Sequence, residues 1–301
     1  MPNLKEVKNR IISVKSTQQI TKAMKMVAAA KMRKAQDKII KLRPYANKLQ
    51  ALLDNITLTL QNDVPDQYSI EREVNKVLVV AITSDRGLCG AFNTNVTKAT
   101  LQLIQQKYKA QFEAKQVDIL CIGNKGLDFF RRRNYQLISQ FSDLFTRLRF
   151  DTVREAAEYA MQGFVKGQYD VVEVVYNEFK NVATQIVQTE QFLPIYRKPA
   201  DLFASPGLPA VGGNMDYIFE PNAKDIVTDL VPNSLRIKFY KAVLESNAAE
   251  HGARMTAMDK ATDNASELLK QLNLTYNRTR QAAITKEILE IVGGAEALSN
   301  G

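Results

Sequence analysis

From Leu4 the apolar residues of the chain recur at Leu4, Val7, Ile11 and Val14, alternating steps of three and four, which is the spacing of a single seam along a helix. After a polar patch at Ser16 to Gln19 the pattern resumes at Met24, Ala28, Met32, Ala35, Ile39, Leu42, Ala46 and Leu49, and continues through Leu53 and Ile56 to Leu60. Pro44 falls inside it, where a missing N–H and a ring clash predict a bend near Arg43. Residues 3–60 therefore read as one helix, roughly 85 Å long at 1.5 Å per residue, too long to be covered by a globular domain of this size. The other end mirrors it with a seam at Met258, Thr262, Ala265, Leu269, Leu272, Tyr276, Thr279 and Ala283. That helix is expected to begin after Pro232, at about Asn233, and to run to Val292, roughly 90 Å, with Gly293-Gly294 marking its end. Two helices of matching length with narrow apolar seams pair most simply as an antiparallel coiled coil. Two helices flanking an ordinary bundle are the alternative.

Between the seams the period changes. Lys76 to Ile82 and Val117 to Ile122 read as strands, and an amphipathic helix pattern lies between them, ending near Lys109. Lys125 to Arg133 and Asp151 to Lys166 read as helices, then Val171 to Phe179 and Thr184 to Pro194 as two consecutive strands. Strands alternating with helices predict a Rossmann-like α/β domain on a largely parallel sheet, with an antiparallel addition at its C-terminal side. The predicted fold class is thus α/β plus a long antiparallel coiled coil: a shaft helix over 1–62, an inserted α/β domain over 70–220, and a second shaft helix over 222–301. Prolines at 199, 206 and 209 with glycines at 207, 212 and 213 mark a loop over 197–216.

The charge is localised. Residues 1–50 hold thirteen Lys or Arg against Glu6 and Asp37, a balance of +11 in a chain whose total is +9, so the remaining residues sum to −2. A basic element of this kind is expected to meet an acidic protein, nucleic acid or anionic lipid. The longest apolar run, Val77 to Ile82, is far too short to cross a bilayer, and the start has no apolar core of a secretory signal. A cytosolic or membrane-peripheral protein is expected.

Catalytic constellations are scarce. His251 is the only histidine, which argues against a Ser-His-Asp triad or a cluster of imidazole metal ligands, and it reads as a solvated or interface imidazole. Cys89 and Cys121 form no CxxC and read as buried, inert thiols. Ser84-Asp85-Arg86-Gly87-Leu88-Cys89-Gly90 sits between a strand and a helix, where a nucleotide-binding turn would lie. Its glycines are three apart, neither GxGxxG nor GxxxxGK[ST] occurs, and the better reading is a tight turn needing glycine geometry. Gly123-Asn124-Lys125-Gly126 reads the same way. Asp85 beside Arg86 reads as an exposed ion pair at the sheet edge. The basic run from Lys22 to Lys41 could enter a DNA groove, but seam residues interleave with it and stacking aromatics are absent. Three classes stay open on the residues alone: a coiled coil with a protein partner, a basic nucleic-acid binder, and a dinucleotide enzyme using Gly87 and Gly90.

Several longer segments resemble the γ subunit of F-type ATP synthase. They are Ile20 to Lys34 (ITKAMKMVAAAKMRK), Ser84 to Gly90, Tyr217 to Pro221, and the run from Ala253 through Ala265 to Tyr276–Ala295. The match extends over nearly the whole chain, in order. The resemblance implies a rotary central stalk. Its paired helices would turn inside a ring of α and β subunits, and its α/β domain would be a foot on the ε subunit and the membrane c-ring. It implies coupling of proton-driven c-ring rotation to ATP synthesis or hydrolysis at β, regulation of ATPase activity and proton flow, no bond chemistry, no cofactor and no nucleic acid. By motif, Lys22, Met24, Lys31, Arg33 and Lys34 fall where the family meets an acidic segment of β. Arg254, Arg280, Gln281 and Thr285 fall where its C-terminal helix meets β loops and α, and the apolar tip of Ile288, Ile291, Val292, Ala295 and Leu298 where a smooth sleeve would surround it. Lys25 and Lys286 keep open roles. Neither cysteine lies in an insert like the thiol-switch pair of plastid members, so no dithiol control is expected. The motifs begin within a few residues of Met1, which fits a bacterial member on the cytoplasmic side of the inner membrane.

Overall fold

The computed structural model describes residues 3–59, 67–133, 135–182, 184–195 and 223–299. The loop expected over 197–216 and the motif at 217–221 lie outside them. Their elements run α1 (Leu4–Thr59), β1 (Val77–Ile82), α2 (Phe92–Lys107), α3 (Lys109–Glu113), β2 (Val117–Ile122), α4 (Asn124–Arg131), β3 (Gln136–Ile138), a 3-10 turn at Leu144–Arg147, α5 (Phe150–Val165), β4 (Val171–Phe179), β5 (Gln185–Leu193) and α6 (Ala223–Ser299). Contacts gather the chain into two compact units, one of Met1–Ala29 with Arg254–Gly301 and the other of Ala30–Ala253.

In the second unit five strands form one sheet in the order β3-β2-β1-β4-β5. β1 pairs in parallel with β2 and β4, β2 pairs in parallel with β3, and β5 returns antiparallel along β4. β1 and β2 are buried at every position, which is why VLVVAI reads as a continuous apolar run rather than an alternation. Leu78, Val80, Ile82, Val172 and Val174 face α5 (Ala156, Ala160, Phe164) and the start of α6 (Leu235, Phe239, Val243). Val77, Val79, Ala81, Ile119 and Cys121 face α2 (Val96, Ile104) and α4 (Leu127, Phe130). Helices on both faces of a mostly parallel sheet give the three-layer arrangement expected from the alternating pattern.

Two helix limits differ from the sequence reading. α6 begins at Ala223, before Pro232, rather than near Asn233. A proline inside a helix costs about 3 kcal/mol, and here Val231 on one side and Leu235 and Phe239 on the other pack on the same core, holding the helix across it. The same helix passes through Gly293 and Gly294 to Ser299 instead of ending at them. Neither glycine has a positive φ, so neither makes the left-handed cap that ends helices, and each costs the helix only about 1 kcal/mol relative to alanine. α1 likewise runs through Pro44. β3, α3 and the 3-10 turn were not anticipated; each is five residues or shorter, too brief for a period to register.

Where α6 crosses β4 and β5 it buries a carboxyl. Glu245 is 6% exposed, with Lys241 Nζ at 3.7 Å. Burial raises its pKa above the ordinary carboxylate value, and Glu178 and Glu190 add to the rise against the lowering by Lys241 and Arg43. A raised folded pKa makes the native state bind the proton more tightly than the unfolded chain does. Stability from this group is therefore fullest below the unfolded value and is lost as pH rises through the folded one. Glu245→Gln is expected to raise the urea midpoint near neutrality and to lose that advantage below about pH 4. Urea titrations of both chains across this range check it.

Candidate partner-contact surface on the paired helices

In the unit of residues 1–29 and 254–301, α1 and α6 pair along the expected seams as far as Thr279; Ala283, expected on the seam, is exposed. Val7, Ala28, Met258, Ala265 and Leu272 are buried, while Leu4, Ile11, Val14, Leu269, Tyr276 and Thr279 are half-buried. The polar patch at Ser16 to Gln19 does not interrupt this seam. Gln18 and Thr21 keep the three-four spacing, and the Thr21 hydroxyl lies 2.8 Å from that of Thr262. Of the residues singled out from the sequence, Lys22, Arg280, Gln281 and Thr285 are exposed, and Met24 and Arg254 are half-buried. Lys25 is turned to α6, where its ammonium meets Asp259, and Lys286 pairs with Glu290 along its own helix at 3.5 Å. Beyond Thr279 the surface of α6 is open: Ile288, Leu289, Ile291 and Val292 are all more than half exposed. Ala295 is exposed too; the side chain of Leu298 lies outside the described residues. On α1, Ile12, Ile20, Met26 and Val27 are likewise more than half exposed.

In the unit of residues 30–253, Ala35 and Ile39 of α1 pack with Leu244 and Ala248 of α6. Lys31, Arg33 and Lys34 point to solvent, and among the described residues none of them, nor Lys22, has an ion-pair partner. Gly252 lets α6 lie close to the end of β4: a Cβ there would lie 3.3 Å from the Phe179 ring, while Met32 Sδ of α1, at 3.6 Å, would be in ordinary contact. His251, one residue earlier, is 9% exposed, so it is an interface imidazole and not a solvated one.

The Ser84–Gly90 turn spends its polar groups on itself. The Ser84 N–H donates to Asn93 Oδ1 at 2.9 Å, Ser84 Oγ donates to the Arg86 carbonyl at 2.8 Å, and Asn93 Nδ2 donates to Cys89 Sγ at 3.3 Å. Asp85 is not the exposed ion pair expected from its neighbour. It is half-buried and accepts from the Asn124 N–H at 3.4 Å, and burial raises its pKa. Leu88 stands at φ 63° and Gly90 at φ 59°, so the left-handed geometry falls on a leucine as well as on a glycine. Both cysteines are buried and free, and burial pushes the Cys121 thiol up to about 12, which leaves it without thiolate character near neutrality. No group of three or more His, Cys, Asp or Glu suited to a metal occurs among the described residues, and none of their helices is long and apolar enough to cross a membrane.

Gly123 is the tightest point of this region. It has φ 96°, and a Cβ there would lie 2.3 Å from the Thr83 carbonyl oxygen. Thr83 Oγ1 in turn accepts the Gly126 N–H at 2.9 Å, tying β1 to the start of α4. Gly123→Ala is expected to destabilise the chain by about 3 kcal/mol through backbone strain and overlap. The shift of the urea midpoint at unchanged slope measures it.

Comparison with known proteins agrees with this architecture. The ATP synthase family profile matches residues 3–298. An ATP synthase gamma chain of Cytophaga hutchinsonii is 58% identical over 300 residues, covering 100% of both chains. Another, of Flavobacterium psychrophilum, is 56% identical over 299 residues and covers 99% of each. Among solved structures, a chain of the Euglena gracilis mitochondrial ATP synthase in rotational state 3 superposes with a TM-score of 0.64 over 98% of this chain and 94% of its own, at 21% identity, which speaks for the fold. A central stalk/c-ring structure of the Tetrahymena thermophila mitochondrial enzyme gives 0.55 at 25% identity, over 80% of this chain and 99% of its own. With full-length relatives more than half identical and a family profile over residues 3–298, the protein belongs to the ATP synthase gamma chain family.

Proposed function

We propose that the chain is the rotating central shaft of a bacterial F-type ATP synthase, coupling proton-driven rotation of a membrane c-ring to ATP synthesis or hydrolysis at β subunits. The observation that carries this is the surface of the helix pair. Lys22, Lys31, Arg33 and Lys34 are exposed and have no ion-pair partner among the described residues, and a row of large apolar side chains from Ile284 to Val292 is open to solvent. Apolar surface of that kind marks a partner. Unneutralised charge acts over a Debye length of about 8 Å, so an acidic β segment can be attracted and released without a deep lock. The apolar tip adds contact without directional bonds, which suits a surface that must turn.

In this reading residues 1–62 and 222–301 form the shaft, and residues 70–220 form the foot that meets the ε subunit and c-ring. Lys22, Met24, Lys31, Arg33, Lys34, Arg254, Arg280, Gln281 and Thr285 contact the α/β ring. The chain makes and breaks no covalent bond and carries no cofactor. It biases the β sites because it touches one of them differently from the others, and a partner shifts a state only by its differential interaction free energy with it. The same contacts set the rates of ATP hydrolysis and of proton flow. The subunit sits on the cytoplasmic face of the inner membrane through the complex.

Co-expression with α and β of the same source, then size exclusion and an ATPase assay, tests the reading. Co-elution with hydrolysis that depends on this chain is expected. Removing residues 281–301 is expected to lower the hydrolysis rate while leaving the complex assembled, because the basic segment remains. An α/β complex that neither retains the chain nor changes its rate with it contradicts the proposal.

A further inference from the structure

Three consecutive positions of the α1 seam are polar, and each has a polar partner on α6. Gln18 Nε2 donates to Ser266 Oγ at 2.6 Å, the Thr21 and Thr262 hydroxyls lie 2.8 Å apart, and Lys25 Nζ donates to Asp259 Oδ1 at 2.5 Å. The hydroxyls of Thr262 and Ser266 also donate to their own helix, to the Met258 and Thr262 carbonyls. Ser266 therefore turns a lone pair toward Gln18, whereas the Thr21 hydroxyl also reaches the Gln18 carbonyl at 3.0 Å and either hydroxyl of the Thr21–Thr262 contact can be its donor. Gln18 supplies the donor for Ser266, and Lys25 the donor for the Asp259 carboxylate.

These layers contribute little to stability. The Lys25 and Asp259 side chains are 39% and 49% exposed, and a pair that accessible is worth no more than about 1 kcal/mol. Well-packed leucines would bury more apolar area. The seam on the far side of them, with Val7 and Leu272 buried and Ile11, Val14 and Leu269 half-buried, is apolar contact without directional bonds, which by itself tolerates a shift of one heptad better than hydrogen-bonded pairs do. A slip of one heptad sets Lys25 against Ser266 or Gly252 in place of Asp259. A polar residue in an otherwise apolar seam is the best-attested way to specify register at a cost in stability.

We propose that the Gln18–Ser266, Thr21–Thr262 and Lys25–Asp259 contacts fix the axial register and rotation of the helix pair in the unit of residues 1–29 and 254–301. Lys25 and Asp259 are then positioning residues, which set where Lys22, Met24 and Arg254 are presented. The register itself follows from the geometry; only its consequence for partner contact rests on the shaft reading.

Cysteine cross-linking in the full-length chain, co-purified with α and β, reads the register directly. The same spacing sets Val14 opposite Leu269, and Tyr276 lies one heptad beyond. The native cysteines are buried and add little background. Val14→Cys with Leu269→Cys is expected to cross-link, and Val14→Cys with Tyr276→Cys is not. Lys25→Asp, which sets two carboxylates together, is expected to reduce that preference by about fivefold, the scale of one half-exposed pair. The double swap Lys25→Asp with Asp259→Lys is expected to restore it. A preference that Lys25→Asp leaves unchanged overturns the proposal. So does a double swap no better than the single change, since Lys25 would then be acting on some other group. If α and β do not retain the chain, the cross-links of the free full-length chain still report the register, so a failure of the shaft reading is told apart.

Discussion

The pairing of α1 with α6 is the constraint from which the rest follows. It joins the first and last segments of the chain, so everything between must leave from one helix and return to the other. Closing so long a loop has an entropic cost that grows only slowly with length, and an intervening segment with a core of its own removes most of it. The sheet with helices on both faces is that core. Its β1 and β2 strands, buried at every position, hold far more apolar area per residue than the alanine-rich seams do. The helix pair therefore borrows its anchorage from Leu235, Phe239 and Val243 of α6 on the sheet, and from Ala35 and Ile39 of α1 against Leu244 and Ala248.

A narrow seam has a second consequence. Side chains as small as Ala28 and Ala265 leave the outer faces of both helices unburied by the pair, and those faces carry Lys22, Lys31, Arg33 and Lys34, without an ion-pair partner among the described residues, together with large apolar residues. Such a surface is costly for a free protein and useful for one that is sheathed by partners. Directional bonds are kept inside the pair, at Gln18, Thr21 and Lys25, while the exposed groups offer charge and apolar area. A shaft needs that division: stiff within itself, weakly directional toward its surroundings.

Much of this was legible in the residues. The two seams, the four longer strands and the helices between them follow from period alone, because each is long enough for three-four or alternating spacing to repeat. Pro232 and Gly293-Gly294 misled for one reason: local propensity predicts a stop, and packing on the sheet in one case and the absence of any left-handed residue in the other let the helix continue. The polar layers do not stand out in the sequence, because Ser16 to Gln19 reads as a gap when only apolar residues are counted. Carrying the heptad through Gln18, Thr21 and Lys25 would have shown three polar seam positions, although their partners 234 to 248 residues away are visible only in the fold. Family resemblance supplied the partners; nothing in charge or spacing distinguishes an acidic β segment from another acidic protein.

A rotary shaft must turn relative to α and β while ATP is hydrolysed. Observing it in single complexes is the most direct test, with the α/β ring fixed to a surface and a probe attached to the α/β domain of this chain. ATP-dependent rotation in one direction is expected, with pauses in step with turnover at successive β sites. Steady hydrolysis that depends on the chain while the probe stays still would contradict it.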